Sequence, residues 1–312
     1  MKPFAVPGFL PVIPFAGAPD ALPVVEALLA EKVNAAELPF CGETTPETLR
    51  TIRGKYPEMI LGAGRVTTPE QCREAAAAGA QFISMPYFRE DIARWCVEQG
   101  VEAIPTCFNA SEIAQARDLG VETVQICFSG AAAGIETLRE YFALFPEVKI
   151  IPAGKVRPED LPMYIASPAV ATVRADWICA GGEAAQIRGR CRQARKDVMG
   201  YELAHVGINC QDEEECQRVV QLFTTLFGFP SWDNGNSIYT SDRIEVMKFR
   251  QIGSLGHLAI RSNSVERAAQ EFSERGMTAI ESTAKYRDGR LCVVYYKEEI
   301  GHFGIHLIQR NV

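Results

Sequence analysis

The chain has no run approaching about 18 apolar residues, so no stretch of its 312 residues can span a bilayer as a helix. It has no surplus of positive charge. Lys and Arg number 32 against 39 Asp and Glu, giving a net charge of −7 and a pI near 5.3, which excludes nonspecific binding to nucleic acid or to an anionic membrane. Ten cysteines occur, but no C-x-x-C pair and no dense spacing. Several, such as Cys107, Cys127 and Cys292, sit in apolar strand-like runs, which predicts reduced, buried thiols in a cytoplasmic protein. A secretory leader is not expected. The first residues, MKPFAVPGFLPVIPFAG, are apolar, but Pro3, Pro7, Pro11 and Pro14 break any helix and there is no cleavage site. Nor does a glycine-rich dinucleotide fingerprint follow the first apolar run.

What is present is a globular composition, 47% hydrophobic and 23% charged, with length for two domains of ordinary size. Up to about residue 199, short apolar runs alternate with amphipathic helical stretches. The predicted strands are Leu10–Pro14, Asn34–Leu38, Ile60–Gly64, Phe82–Ser84, Glu102–Pro105, Thr123–Ile126, Lys149–Pro152 and Val170–Val173. The predicted helices are Asp20–Glu31, one opening at Pro46, one near Pro69, Arg89–Gln99, one from Ala110, Ile135–Leu144, one after Pro158, and a long one from Glu183 to about Met199. Eight such units predict an α/β domain over 1–199, a (β/α)₈ TIM barrel; a doubly wound sheet is the alternative that the missing fingerprint disfavours.

Four stretches, in order and each at a strand end, carry a resemblance. They are LGAGRV (61–66), AGAQFISMP (78–86), the segment DLGVETVQICFSGAAAG (118–134) and VKIIPAGKV (148–156). Together they resemble the 2-keto-3-deoxy-6-phosphogluconate / 4-hydroxy-2-oxoglutarate (KDPG/KHG) aldolase family over about Leu10 to Ala180. In that family the sixth strand reads F-K-F-F-P-A-E and its Lys forms a Schiff base with pyruvate. In this sequence the Lys position is Gln125 and the Pro position is Phe128.

The resemblance implies roles for residues at the strand ends. Glu37 matches the general acid/base, and its apolar setting AAELPF suits a carboxyl group that takes up and releases protons. Pro86 closes AGAQFISMP, the second of the four stretches, on the substrate side. Cys41 stands where the family has a carboxylate-binding Arg, and Arg65 replaces the Thr of G-A-G-T, where its fork suits a carboxylate. Of the family's phosphate-binding glycines Gly154 remains, the next is Lys155, and the G-G-S turn reads Arg174, Ala175, Asp176. An Asp there repels phosphate, which points to a small unphosphorylated 2-keto acid. Lys155 has two readings: a displaced Schiff-base nucleophile if it is buried beside Arg65 or Arg174, or a cation that pairs with a carboxylate. Gln125 can hydrogen-bond a substrate carbonyl but cannot form an imine.

Beyond residue 199 the pattern changes. ELAHVGINC reads as a strand, Glu213–Phe227 as an amphipathic helix ended by Gly228, then strands at Ser237–Thr240 and Arg243–Phe249. GHLAIRS opens a second unit, with a helix over Val265–Arg275 and strands Leu291–Tyr296 and His302–Gln309. The predicted domain, 200–312, is α+β with two βαβββ units. LAHVGIN, LFTTLFGFP, RIEVMKF and GHLAIRS resemble the glyoxalase / vicinal-oxygen-chelate (VOC) family. All four histidines lie in this part. The resemblance implies a divalent site (Zn, Ni, Mn or Fe) from His205, Glu245, His257 and His306, spaced by 40, 12 and 49 residues.

The leading expectation is therefore an enzyme, a carbon–carbon lyase that reversibly releases pyruvate from a small 2-keto acid, assembled by resemblance as a homo-oligomeric trimer. Two rivals stay open. One is a barrel that only binds the keto acid. The other is a metal-dependent isomerase or lyase whose chemistry lies in the second domain.

Overall fold

Alternating apolar runs become eight short parallel strands: β1 (Phe9–Pro11), β2 (Ala35–Pro39), β3 (Ile60–Gly64), β4 (Phe82–Met85), β5 (Glu102–Pro105), β6 (Thr123–Phe128), β7 (Lys149–Gly154) and β8 (Val173–Ala175). The structure, a computed structural model, describes residues 8–14, 17–128, 131–287 and 289–310, without the side chains of 131–133. Pro3 and Pro7 of the first stretch, and Ser129 and Gly130 of the loop after β6, lie outside the described residues. Strands β2, β3, β4 and β5 form one ladder, while β6 pairs with β7 and β1 with β8. Single parallel bridges, Val12 to Glu37, Thr106 to Gln125 and Ile150 to Val170, carry the pairing across the remaining gaps. A closed ring of eight parallel strands, each followed by a helix, is the barrel that the repeat predicts.

The helices are α1 (Ala18–Ala30), α2 (Thr44–Lys55), α3 (Pro69–Ala77), α4 (Glu90–Gln99), α5 (Ala110–Asp118), α6 (Ala131–Leu144), α7 (Leu161–Ala166) and α8 (Ala184–Met199). Each lays an apolar stripe on the ring; α1, for example, buries Ala21, Val24, Val25, Ala27 and Leu28. Helix α3 starts on a reciprocal cap: the Thr68 hydroxyl accepts from the Gln71 amide, and the Gln71 side chain accepts from the Thr68 amide.

Strand side chains alternate faces, and this sets two layers inside the barrel. Leu10, Ala35, Phe82, Ile104 and Ile151, with Ile60 beside them, form a separate apolar cluster, one residue from each of six strands. Two positions further along those strands come Val12, Glu37, Gly62, Ser84, Thr106 and Ala153. The layer nearer the strand C-termini is thus polar on several strands, and it is where barrel sites are built.

The chain divides into two compact units, one running to Val198 and the other starting at Met199. The second has β9 (Glu202–Asn209), α9 (Glu213–Phe227), β10 (Ser231–Asp233), β11 (Ser237–Thr240) and β12 (Ile244–Met247), then β13 (Gly256–Ser262), α10 (Val265–Glu274), β14 (Ala279–Arg287), β15 (Arg290–Tyr296) and β16 (Phe303–Gln309). Its eight strands make one mixed sheet in the order β10-β11-β12-β9-β13-β16-β15-β14. The order is mirrored about the antiparallel β9–β13 pair, so each half is a βαβββ unit whose first strand lies parallel to its last.

Several local expectations shift. Strand β8 covers 173–175 rather than 170–173, because Val170 makes only an isolated bridge and the strand proper includes Arg174, whose charge hides it from an apolar pattern. The helix after Pro158 is a short 3₁₀ turn followed by the six residues of α7. The small-residue loop after β6 passes into α6 at Ala131. Strands β10 and β14, which two βαβββ units require, have no counterpart among the expected strand ranges. They are the two edges of the sheet, largely exposed, and β14 pairs with β15 in a broken register, so no apolar alternation marks them. Among the described residues no helix is long and apolar enough to cross a membrane.

The inner packing gives a direct test. A Cβ on Gly62 would lie 1.9 Å from Cε2 of the fully buried Phe82 ring. Gly62→Ala should therefore cost about 1–3 kcal/mol by overpacking, read as a lowered urea midpoint. An unchanged midpoint would mean that the ring can turn aside.

Candidate functional site

Glu37 leaves the middle of β2 with its side chain inside the barrel, 1% exposed. A carboxylate fits there because β3 presents Gly64 alongside; a Cβ at Gly64 would stand 2.1 Å from Glu37 Oε1. Ser84 on β4 donates a 2.7 Å hydrogen bond to Oε2. Oε1 lies 2.8 Å from Arg174 Nη1 on β8, an ion pair without an aligned hydrogen bond, so Oε1 keeps an accepting lone pair. Arg174 in turn places Nε 2.8 Å from Asp176 Oδ1. Burial works against the Arg174 cation, but Glu37 and Asp176 outweigh it and hold the guanidinium above its ordinary range. Three of the expected residues, Glu37, Arg174 and Asp176, thus form one chain of charges from the barrel interior to its rim.

Gln125 is buried on β6 and donates from Nε2 to Thr106 Oγ1 at 3.1 Å; Thr106 donates on to the Met85 carbonyl at 2.7 Å. No amine stands at this position. Lys155, just past β7, is exposed, so the burial that a displaced imine nucleophile needs is not met. Arg65 is also exposed and has φ 58, a left-handed backbone that is costly for a residue with a side chain. Pro86 is exposed beyond β4, and Gly154 ends β7 at φ 88. The structure therefore joins Arg174 to Glu37 and leaves Arg65 and Lys155 as exposed cations at the ends of β3 and β7. Ser84 and Thr106 were missed by motif reading, although counting two residues on from the apolar layer finds both. The expectation of uniformly buried thiols also needs correction: Cys41 and Cys127 are exposed and Cys292 is half-buried. Cys127 ends the apolar run of β6, where the strand emerges from the barrel wall, and burial nevertheless pushes its thiol up while Arg174 pulls the other way.

In the second unit, sheet register assembles another cluster. His205 on β9 pairs with Ala259 on β13, which pairs with His306 on β16. One step along the same face, Glu245 on β12 pairs with Gly207, and Gly207 with His257. The small residues between the large ones leave room for the rings; a Cβ on Gly207 would fall 2.1 Å from the His257 ring. His205, His257 and His306 are all buried, with one nitrogen from each lying within 4.8 Å of the others. Glu245 Oε2 is 3.1 Å from Nε2 of both His205 and His257, and Ser237 donates to Oε1 at 2.6 Å. Burial disfavours the Glu245 charge, but the bonds from His205, His257 and Ser237 hold the carboxyl well below its ordinary range. Burial, then His257 and His205, keeps His306 far below the usual imidazole range and hence neutral. Neither His306 nitrogen has a hydrogen-bond partner, nor does His257 Nδ1. Buried imidazoles, with His306 and His257 Nδ1 unpartnered, beside a carboxylate are a donor set that fits a divalent metal. Tyr295 stacks on His306 at 4.3 Å and Tyr239 meets His205 edge-on. These two tyrosines and Ser237 had no sequence signal beyond strand alternation.

The barrel charges can be tested by substitution. Arg174→Ala leaves the buried Glu37 charge unpaired and should cost about 3–5 kcal/mol. Asp176→Ala, at a carboxylate whose side chain is 59% exposed, should cost less than about 1 kcal/mol. Urea unfolding of both variants measures the difference; equal losses would mean that Glu37 is not stabilised by Arg174.

Comparison with known proteins bears on the first unit. The family model described as KDPG and KHG aldolase matches residues 6–188. The 2-dehydro-3-deoxy-phosphogluconate aldolase of Treponema pallidum is 29% identical over 61% of this chain and 92% of its own length. The KHG/KDPG aldolase of Escherichia coli K12 is 29% identical over 62% of this chain and 92% of its own. Among solved structures, the KDPG aldolase of Legionella pneumophila, with pyruvate captured as a covalent carbinolamine intermediate, superposes with a TM-score of 0.56. It is 27% identical, over 62% of this chain and 97% of that one. The matched region contains the barrel strands, the Glu37–Arg174 pair and Gln125, and on that match the chain belongs to the KDPG and KHG aldolase family.

Proposed function

We propose that the barrel acts on a small, unphosphorylated 2-keto acid, cleaving a carbon–carbon bond reversibly to release pyruvate, without an imine on β6. The observation that carries this reading is Glu37, a buried carboxylate with one oxygen fixed by Ser84 and the other ion-paired with Arg174 but without a hydrogen-bond partner, so that it keeps an accepting lone pair. Such a group can take the proton of a substrate hydroxyl as the carbon–carbon bond breaks to an aldehyde and the pyruvate enolate, and then return that proton to the enolate carbon. Gln125 offers an amide N–H toward a keto oxygen, and the Arg174 cation adds electrostatic stabilisation as charge builds there. The exposed Arg65 and Lys155 suit the substrate carboxylate, and Asp176 beside Arg174 disfavours a phosphate. The aldolase activity of the named relatives, and the pyruvate captured by one of them, support pyruvate as the product.

Borohydride added with pyruvate should give no permanent adduct on this chain. An adduct at Lys155 would make that lysine the nucleophile and overturn the imine-free reading. Pyruvate release from 4-hydroxy-2-oxoglutarate should fall at least about 100-fold in Glu37→Gln, since the amide cannot shuttle a proton. Calorimetric pyruvate binding without any turnover would instead favour a barrel that only binds the keto acid.

The histidine cluster favours a second reading for the other unit. The two βαβββ halves and their central donor set resemble the glyoxalase / VOC family, and they support a metal-dependent isomerase or lyase site there. Zn, Ni, Mn or Fe would be held by His205, Glu245, His257 and His306 and would supply Lewis acidity to a substrate oxygen. Because each ligand comes from a different strand, metal binding should stabilise the fold, by about 2.7 kcal/mol at 100-fold above the dissociation constant. A melting temperature unmoved by chelator, with substoichiometric metal by mass spectrometry, would return the four residues to a structural role. A homotrimer, as the barrel resemblance implies, completes the proposal; sedimentation as a monomer would remove it.

A further inference from the structure

Cys72 on α3 and Cys96 on α4 bring their sulfurs to 3.5 Å, in hydrogen-bond contact and buried at 1% and 0% exposure. The helices are adjacent on the outside of the barrel, and the turns before them are already tied by Arg89 Nη1, which donates to the Thr67 carbonyl at 2.8 Å. A disulfide needs an S–S distance of about 2.05 Å, so the sulfurs must close by about 1.5 Å. No other two of the ten thiols, all of which lie among the described residues, share a hydrogen bond.

We propose that Cys72 and Cys96 are a dithiol modification site, oxidised by a hydroperoxide to an intramolecular disulfide that pins α3 to α4. Cys72 is the attacking sulfur. The hydrogen bond shared with Cys96 lowers its thiol from the ordinary range, whereas the same contact and burial push Cys96 up. The Cys72 thiolate attacks one oxygen of hydrogen peroxide, the O–O bond breaks to leave the sulfenic acid, and the departing hydroxide becomes water by taking up the proton that the Cys72 thiol released. Cys96 then attacks the sulfenic sulfur, the S–S bond forms, and the hydroxyl leaves as a second water with the Cys96 proton. Two thiols are oxidised and one peroxide is reduced to two waters. Burial restricts the site to a small oxidant that enters when the seam between the helices opens. The link would join the helices that follow β3 and β4, the strands that bring Gly64 and Ser84 to Glu37.

The test uses the intact chain. After mild treatment with hydrogen peroxide, remaining thiols are alkylated under denaturing conditions and the protein is digested without reduction. A linked Cys72–Cys96 peptide, lighter by two hydrogen atoms than its two parts, is expected. The oxidised chain should melt at a higher temperature, reversed by dithiothreitol, since the bridge constrains the unfolded chain. Recovery of Cys72 and Cys96 only as alkylated thiols or as separate sulfinic acids would overturn the proposal. So would a linked peptide that forms only when peroxide is added in denaturant. Cys96→Ser should abolish the melting shift; a shift that persists in that variant would assign it to another thiol.

Discussion

A carboxylate inside a parallel barrel loses its hydration, a cost of several kcal/mol unless compensating charge and hydrogen bonds replace the water. Glu37 faces this constraint, and much of the first unit is arranged around it. Gly64 gives up its side chain to make room, Ser84 supplies a hydrogen bond, and Arg174 supplies the countercharge. Asp176 shares the same cation at the rim. The apolar layer of Leu10, Ala35, Phe82, Ile104 and Ile151 closes the floor beneath, which keeps water from the carboxylate and leaves the strand C-termini as the way in.

Membership of the aldolase family sits beside a changed mouth. The position that bears an imine-forming lysine in the family pattern is an amide, Gln125, held by Thr106 rather than by the Glu37–Arg174 pair. The buried acid remains and the nucleophile does not, and this divides what the barrel can do: proton transfer and polarisation of a carbonyl are supported by its groups, covalent capture of pyruvate on β6 is not. Under the proposed function, the anion that shares the Arg174 cation at the rim would suit a smaller, less charged substrate than a sugar acid phosphate.

The second unit solves a different packing problem by symmetry. Two βαβββ halves meet at β9 and β13, so the centre of the sheet is the one place where strands from both halves lie side by side. Gly207 and Ala259 separate the bulky side chains across that seam, and the space they leave is filled by three imidazoles and a carboxylate. Buried nitrogens without partners are expensive in a sheet core. Their concentration at one point is a physical reason, independent of resemblance, to look for a ligand there.

The alternation of apolar runs and amphipathic helices determined the barrel, because periods of 2 and 3.6 are local properties of the chain. The same alternation, with the strand motifs, led to Glu37 and Gln125 at their positions in the wall and to four strands bearing His205, Glu245, His257 and His306. Tertiary structure alone decided what these residues meet. Nothing in the sequence ties Arg174 to Glu37 across 137 positions rather than to a substrate, or leaves Lys155 exposed while Arg174 is half-buried. Nothing local separates Ser84 or Thr106 from any other strand hydroxyl. Strands β10 and β14 escaped because edge strands need not bury a face, and the Cys72–Cys96 contact escaped because it depends on how two helices pack. Charge pairing, burial and register act between segments distant in sequence, and only the closed ring and the folded sheet bring those segments within reach of one another.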